Sequence, residues 1–281
     1  MHRARVFLFF ILGVCLLAPA AARQATPEAY RILISNDDGV RAPGLAAVAQ
    51  ILQAIGTVII VAPSQNQSGK GHSIITSEPV FREDLTLPNG LRAIGLSATP
   101  ASTVNIAIRN ILTPKPDLVV SGINFGSNLA YSGYVSGTVG AARQAAILGI
   151  PAIAASLASD GAPRDFGAAA EEVLGVARRV KQYGLPPNTF LNVSVPARPA
   201  AGYKGYLITT QALVQGGEES FVEMKNPAGR TMYWNVFKEG GIDAPEGTDV
   251  WAVRNGYVAV TPMKLGETDL GQMETLRSIF K

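Results

Sequence analysis

Short, unbroken apolar runs alternate with longer stretches of helical apolar spacing from residue 31 to residue 195 of this chain. The run at 31–35 (RILIS) stops at Asn36-Asp37-Asp38-Gly39 and reads as a buried strand opening into a loop. Residues 45–55 carry apolar groups at helical intervals behind Pro43 and Gly44. A β-branched strand follows at 57–62, ended by Pro63, and the polar stretch 64–71 is a loop. Asn89-Gly90 marks a hairpin, 100–112 predicts a helix, and 117–121 (DLVVS) is a third core strand. A loop rich in Gly, Ser and Asn covers 122–137. It leads to a helix at 138–148, a strand at 152–156, a helix at 166–183 stopped by Gly184 and Pro186, and a strand at 190–195.

Strands alternating with helices predict an α/β fold with a mainly parallel sheet. Right-handed crossovers bring the C-terminal ends of such strands to one edge, where ligands bind. After Pro196 the pattern changes. Residues 204–211, 231–234 and 257–261 read as strands between Gly and Pro turns, and helical spacing returns only in the last dozen residues. The expected division is therefore a catalytic core at 30–198 and a β-rich region at 199–281. The second part has too little continuous pattern to close its own core, so it is expected to pack on a partner subunit.

Composition supports a large core: 47% of residues are hydrophobic and 16% charged. The formal net charge is +3, with no basic run, so binding of duplex nucleic acid is not expected. Residues 1–22 read as a secretory signal, with His2, Arg3 and Arg5 ahead of an apolar run at 6–17 and Ala20-Ala21-Ala22 as a cleavage site. The run is short for a membrane span, so no stable span is expected after cleavage. An exported, periplasmic protein beginning near Arg23 follows. Without the leader the chain keeps one histidine, His72, and no cysteine, which excludes thiolate chemistry and His-rich metal sites.

The chemistry is concentrated in the loops after the first three core strands. They hold two adjacent carboxylates, Asp37 and Asp38, with hydroxyls and amides such as Ser68 and Asn124. An all-oxygen donor set of this kind suits Mg²⁺ or Mn²⁺. Neighbouring carboxylates repel unless a cation neutralises them, although Asp37 as a helix cap in an Asn-Asp-Gly turn is an equal reading of the motif. Ser136-Gly137-Thr138 opens an alanine-rich helix, a place that attracts phosphate and also the place of an ordinary N-cap. The Gly/Asn loop before it also reads as a plain turn. His72 alone is more often structural than catalytic.

Several ordered blocks carry a resemblance. Ser35-Asn36-Asp37-Asp38-Gly39 resembles the opening signature of the SurE family of survival-protein nucleotidases. The segments 62–69 with Gly71-His72-Ser73, Ser121 to Asn128, and 136–142 are similar to its later blocks. Leu191-Asn192-Val193, Glu246-Gly247-Thr248-Asp249 and Val260-Thr261-Pro262 are also family-like. The resemblance implies a Rossmann-like core with helices on both faces, and a 5′/3′-nucleotidase acting on nucleoside monophosphates. It implies one divalent metal ion per subunit, Mg²⁺ or Mn²⁺, at positions matching Asp37, Asp38, Ser68 and Asn124. Asn36, Asn128, Ser136, Gly137 and Thr138 match positions near the phosphate, and Asn36 joins Asp37 and Asp38 in the catalytic group. It further implies a homodimer or homotetramer assembled through the C-terminal region, and a cytoplasmic location as the alternative to export. The expected reaction is hydrolysis of a phosphate monoester, by water or through an aspartyl-phosphate on Asp37. Two rivals are a non-catalytic exported nucleotide or sugar-phosphate binding protein, and an esterase; the chain lacks the G-x-S-x-G elbow of the latter.

Overall fold

The computed structural model describes residues 29–158, 164–197, 201–214, 217–239 and 243–280. The expected leader, residues 1–22, lies outside the described residues. Strands β1 (Arg31–Ser35) and β2 (Thr57–Pro63) bracket helix α1 (Pro43–Leu52). The hairpin β3 (Arg82–Thr86) and β4 (Arg92–Leu96) turns at Asn89-Gly90, as the pattern predicts. Helix α2 (Pro100–Ile106) runs on into a π-helical turn, Ala107–Ile111, before β5 (Leu118–Phe125). Then come α3 (Ser132–Val135), α4 (Gly137–Ile147), β6 (Ala152–Leu157), α5 (Phe166–Tyr183) and β7 (Thr189–Val195). The rest adds β8 (Tyr206–Ile208), β9 (Gly217–Lys225), β10 (Thr231–Glu239), α6 (Asp249–Arg254), β11 (Val258–Lys264) and α7 (Met273–Ile279).

Among the described residues the main sheet has nine strands, in the order β3-β4-β2-β1-β5-β6-β7-β11-β8. From β4 to β7 every neighbouring pair is parallel. Among these strands, sequence order reverses between β1 and β5, the switch point at which doubly wound sheets bind ligands. Helices cover both faces. Ile32 and Ile34 of β1 pack with Leu45, Val48 and Val173 under α1 and α5, while Leu33 between them packs with Val104 and Val139 under α2 and α4. Apolar groups pointing both ways from one strand are what a parallel sheet buried on both faces requires.

Two differences from the sequence reading matter for the site. Gly122 to Phe125, expected in a loop, is the second half of β5, with a register shift against β6 between Ser121 and Asn124. Glycine and asparagine disguise the strand, yet Ile123 within it is fully buried. The region after Pro196 also contributes β8 and β11 to the main sheet, with β11 running antiparallel beside β7. Only β9 and β10 form a separate two-stranded ribbon, and β9 and α6 were not anticipated. Among the described residues no helix is long and apolar enough to cross a membrane.

Candidate active site

The switch point sets the end of β1 beside the end of β5, and the start of α4 closes over both. Gly39, at φ +104, makes the turn after the carboxylates, a conformation that L side chains rarely adopt. Asn36 is fully buried and fastens this turn twice: its Nδ2 donates to the Gly39 carbonyl (3.0 Å) and its Oδ1 accepts from the Gly39 amide (3.2 Å). Both groups of Asn36 are thus engaged within the loop, which makes it a brace for the carboxylates.

Asp37 is 3% exposed. Its Oδ1 accepts from the Thr138 hydroxyl at 2.5 Å. Burial raises its pKa, and the Thr138 hydroxyl together with the amides of Thr138 and Gly137 opposes that rise. The positive end of α4 is therefore aimed at Asp37. The approach is close enough to dictate glycine: a Cβ at Gly137 would stand 2.7 Å from Asp37 Cβ and 2.9 Å from Pro100 Cγ. Asp37 does not cap the helix that follows it, since the N-cap of α1 is Ala42, which makes no side-chain cap. Ser136 does cap α4, its Oγ accepting from the Val139 amide at 3.1 Å.

Asp38 is less buried. Its Oδ2 accepts from the Phe125 amide at 2.9 Å, a bond that ties the β1 loop to the end of β5. Burial pushes its pKa up to about 6; the Phe125 amide restrains the rise, the Asp37 charge adds to it, and the Arg164 charge opposes it. Asn124 donates through Nδ2 to the Gly126 carbonyl (2.9 Å), which leaves its Oδ1 turned the other way. Asn128 is 7% exposed, and its Nδ2 is buried without a hydrogen-bond partner. Ser68 lies exposed on the loop after β2, and this loop is tied to the site by the Gln67 amide, which donates to the Asp37 carbonyl (2.7 Å).

The structure thus gathers Asn36, Asp37, Asp38, Asn124, Gly137 and Thr138 at one edge, with Asn128 and Ser136 on the segment that joins β5 to α4. His72 stands apart in role: its ring Nε2 meets Gln144 Oε1 at 2.8 Å on the side of α4, a structural contact. Among the described residues no group of three or more His, Cys, Asp or Glu is placed to hold a metal. A cation here therefore relies on Asp37 and Asp38 completed by amide and hydroxyl oxygens. Asp38 Oδ1 and Asn124 Oδ1 form no hydrogen bond among the described residues, so the donor set fits a hard cation.

Two neighbours of the site were not singled out from the sequence. Arg164 lies over the Phe125 ring, 3.2 Å from its centroid. Asp249, on α6, accepts from the Ala130 amide and so holds the loop that carries Asn128. Arg164 sits in a loop with no motif around it; Asp249 belongs to a family-like block, but its partner is 119 residues away in sequence.

A doubly wound α/β protein with a paired-carboxylate site at its switch point is the class that fold and geometry define. Comparison with known proteins makes this particular. The family model described as "Survival protein SurE" matches residues 32–217, and the chain belongs to that family. A curated relative named 5′-nucleotidase SurE, from Geotalea uraniireducens, is 41% identical over 247 residues, which are 88% of this chain and 98% of the relative. The 5′-nucleotidase SurE 1 of Thermus thermophilus is 42% identical over 253 residues, 89% of this chain and 98% of its own. The crystal structure of the SurE protein from Aquifex aeolicus matches with a TM-score of 0.77 at 37% identity, covering 89% of this chain and 100% of that one.

These comparisons overturn the expectation of an exported, periplasmic protein. The two relatives are matched over 98% of their length by less than nine-tenths of this chain, and the family model begins only at residue 32. Basic residues, an apolar run and alanines form a pattern that other N-terminal segments share, so the pattern alone does not carry an address.

Proposed function

We propose that this chain is a 5′-nucleotidase that hydrolyses nucleoside monophosphates to nucleoside and phosphate, with a divalent cation, Mg²⁺ or Mn²⁺, in each subunit. Its family membership and the nucleotidase names of its relatives support the activity. The observation that carries the site is the buried Asp37, set beside Asp38 at the switch point and facing the start of α4.

Asp37, Asp38, Asn124 and Ser68 would hold the cation. When bound, it neutralises phosphate charge and lowers the barrier to attack by water. The chain's own residues do the positioning on which phosphoryl transfer depends. Thr138 and the α4 amides fix Asp37; the Phe125 amide fixes Asp38; Asn36 braces the turn between them. The buried, unpartnered Nδ2 of Asn128 is a donor suited to a phosphate oxygen. The start of α4 adds a positive potential for the same anion, with Ser136, Gly137 and Thr138 forming its rim. Burial of Asp37 and its bond to Thr138 favour a supporting role over in-line attack, so water is the nucleophile.

Residues 30–198 supply this machinery, and parts of 199–281 serve assembly as a homodimer or homotetramer. The deciding experiment measures phosphate released from AMP, GMP and an aryl phosphate, with Mg²⁺, with Mn²⁺ and with chelator. Cation-dependent release from the nucleotides is expected. Tight nucleotide binding without release would instead make the protein a binding module.

A further inference from the structure

Given the nucleotidase reading above, we propose that Phe125 is the platform on which the substrate's nucleobase stacks, and that Arg164 and Phe166 hold that platform in place. Phe125 is the last residue of β5, next to Asn124, and its own amide donates to Asp38 at 2.9 Å. Its ring therefore begins one residue from the proposed phosphate site. Phe125 is 56% exposed, although the strand that carries it is otherwise buried.

A single exposed phenylalanine needs no explanation by itself. This one is built into a stack. The guanidinium of Arg164 lies 3.2 Å from the ring centroid, close enough for direct cation–π contact. Arg164 Nε is buried and has no hydrogen-bond partner among the described residues. The Phe166 ring, at the first turn of α5, supports Phe125 with centroids 6.5 Å apart and planes tilted by 31°. Arg164 and Phe166 together fix the ring's orientation, while Phe125 as a residue stays exposed. The result is a rigid π-surface beside the carboxylates.

A nucleoside monophosphate presents a flat π-system one sugar away from its phosphate, and a platform on the residue whose amide binds Asp38 meets that second part of the substrate. Stacking does not read hydrogen-bond donors and acceptors, because every base has a π-face. The platform therefore accepts all bases, and the larger purines gain more than pyrimidines. Nucleotides gain over phosphate esters that lack a ring.

The test measures kcat and KM for AMP, GMP, CMP, UMP and glycerol 2-phosphate with Mg²⁺, for the wild-type chain and for Phe125→Ala, Phe125→Leu, Phe125→Tyr and Arg164→Lys, with melting temperatures alongside. The wild type should favour AMP and GMP over CMP and UMP, and all four over glycerol 2-phosphate. Phe125→Ala and Phe125→Leu should lower kcat/KM for AMP and GMP about tenfold or more, chiefly through KM, and several times more than for glycerol 2-phosphate. Phe125→Tyr should stay near wild type. Arg164→Lys, which keeps the charge and loses the planar stack, should fall between them for nucleotides alone. An equal loss on glycerol 2-phosphate would reduce Phe125 to a brace for Asp38 and overturn the platform, as would a Phe125→Leu enzyme with unimpaired AMP turnover. Release from glycerol 2-phosphate without any preference for nucleotides would overturn the platform and leave the phosphatase standing. No release from any of the five substrates by the wild type would overturn both.

Discussion

Asp37 is a carboxylate taken out of water with no basic side chain bonded to it among the described residues; what faces it is a hydroxyl and the start of a helix. That arrangement holds a negative charge at a cost, which the proposed cation would offset. Asp37→Asn and Asp38→Asn keep shape and remove one charge each. Each should lower kcat/KM at saturating Mg²⁺ by roughly 10²-fold or more, about 3 kcal/mol of transition-state stabilisation. The metal-free variants should melt no lower than the wild type, since a repelling charge is gone. Near-normal turnover in both would remove the carboxylates from the mechanism. The same burial gives a pH signature. The folded chain binds the Asp38 proton more tightly than the unfolded chain, with a pKa of about 6 against an ordinary 3.8, and Asp37 is shifted the same way. Stability from these groups is therefore full at acid pH and is lost as pH rises from the ordinary value through about 6. Thermal melts in chelator should fall across that window, Mg²⁺ should restore them near neutrality, and Asp38→Asn should flatten the profile. Gly137→Ala tests the close approach of α4. Alanine ordinarily favours a helix by about 1 kcal/mol over glycine. Here the clash with Asp37 and Pro100 should reverse the sign, costing about 1–3 kcal/mol of stability along with most of the activity. A more stable, active Gly137→Ala enzyme would refute that geometry.

Elements whose ends carry chemical punctuation were legible in the sequence. Helix α5 spans Phe166–Tyr183 as expected, because Gly184 and Pro186 stop it and its apolar groups recur on one face, from Ala169 through Val173 and Val176 to Val180. The strand before Asn36 was equally plain, and with it the position of both carboxylates. The end of β5 was hidden, because Gly122 and Asn124 look like loop residues and the burial of Ile123 is a tertiary fact. Strand β9 was hidden for another reason: its glutamates mask a pattern that only pairing with β10 reveals. Long-range supports were not legible at all. The Asp249 carboxylate, 1% exposed, accepts from the amides of Ala130 (2.9 Å), Ala212 (2.9 Å) and Val250 (2.8 Å), so that α6 anchors the loop leading to α4. Asp249→Ala strands these buried amides and should cost about 2–4 kcal/mol in denaturant unfolding, with a loss of turnover as the Asn128 loop slackens. An unchanged unfolding midpoint would show that the loop does not depend on this carboxylate.

Across the whole molecule, one surface stands out. On the β9–β10 ribbon, Val222, Met224, Met232, Trp234 and Val236 alternate onto the same face, with Val222 directly opposite Trp234. Trp234 is 62% exposed, and a two-stranded ribbon is marginal on its own. A second subunit covering this face is the assembly proposed above. Light scattering at micromolar concentration should show more than a monomer, and Trp234→Glu should shift the population toward smaller species. A wild-type monomer would sink the proposal. The other consequence belongs to β11. It lies between β7 and the three-residue β8, yet comes from residues Val258–Lys264, near the end of the chain. The strands from β1 to β7 are made long before their outer partner exists. During synthesis the β7 edge, with its free amides and carbonyls, must wait for the ribosome to reach residues 258–264, and a chain cut short before residue 258 would keep that edge open to its neighbours as a seed for aggregation.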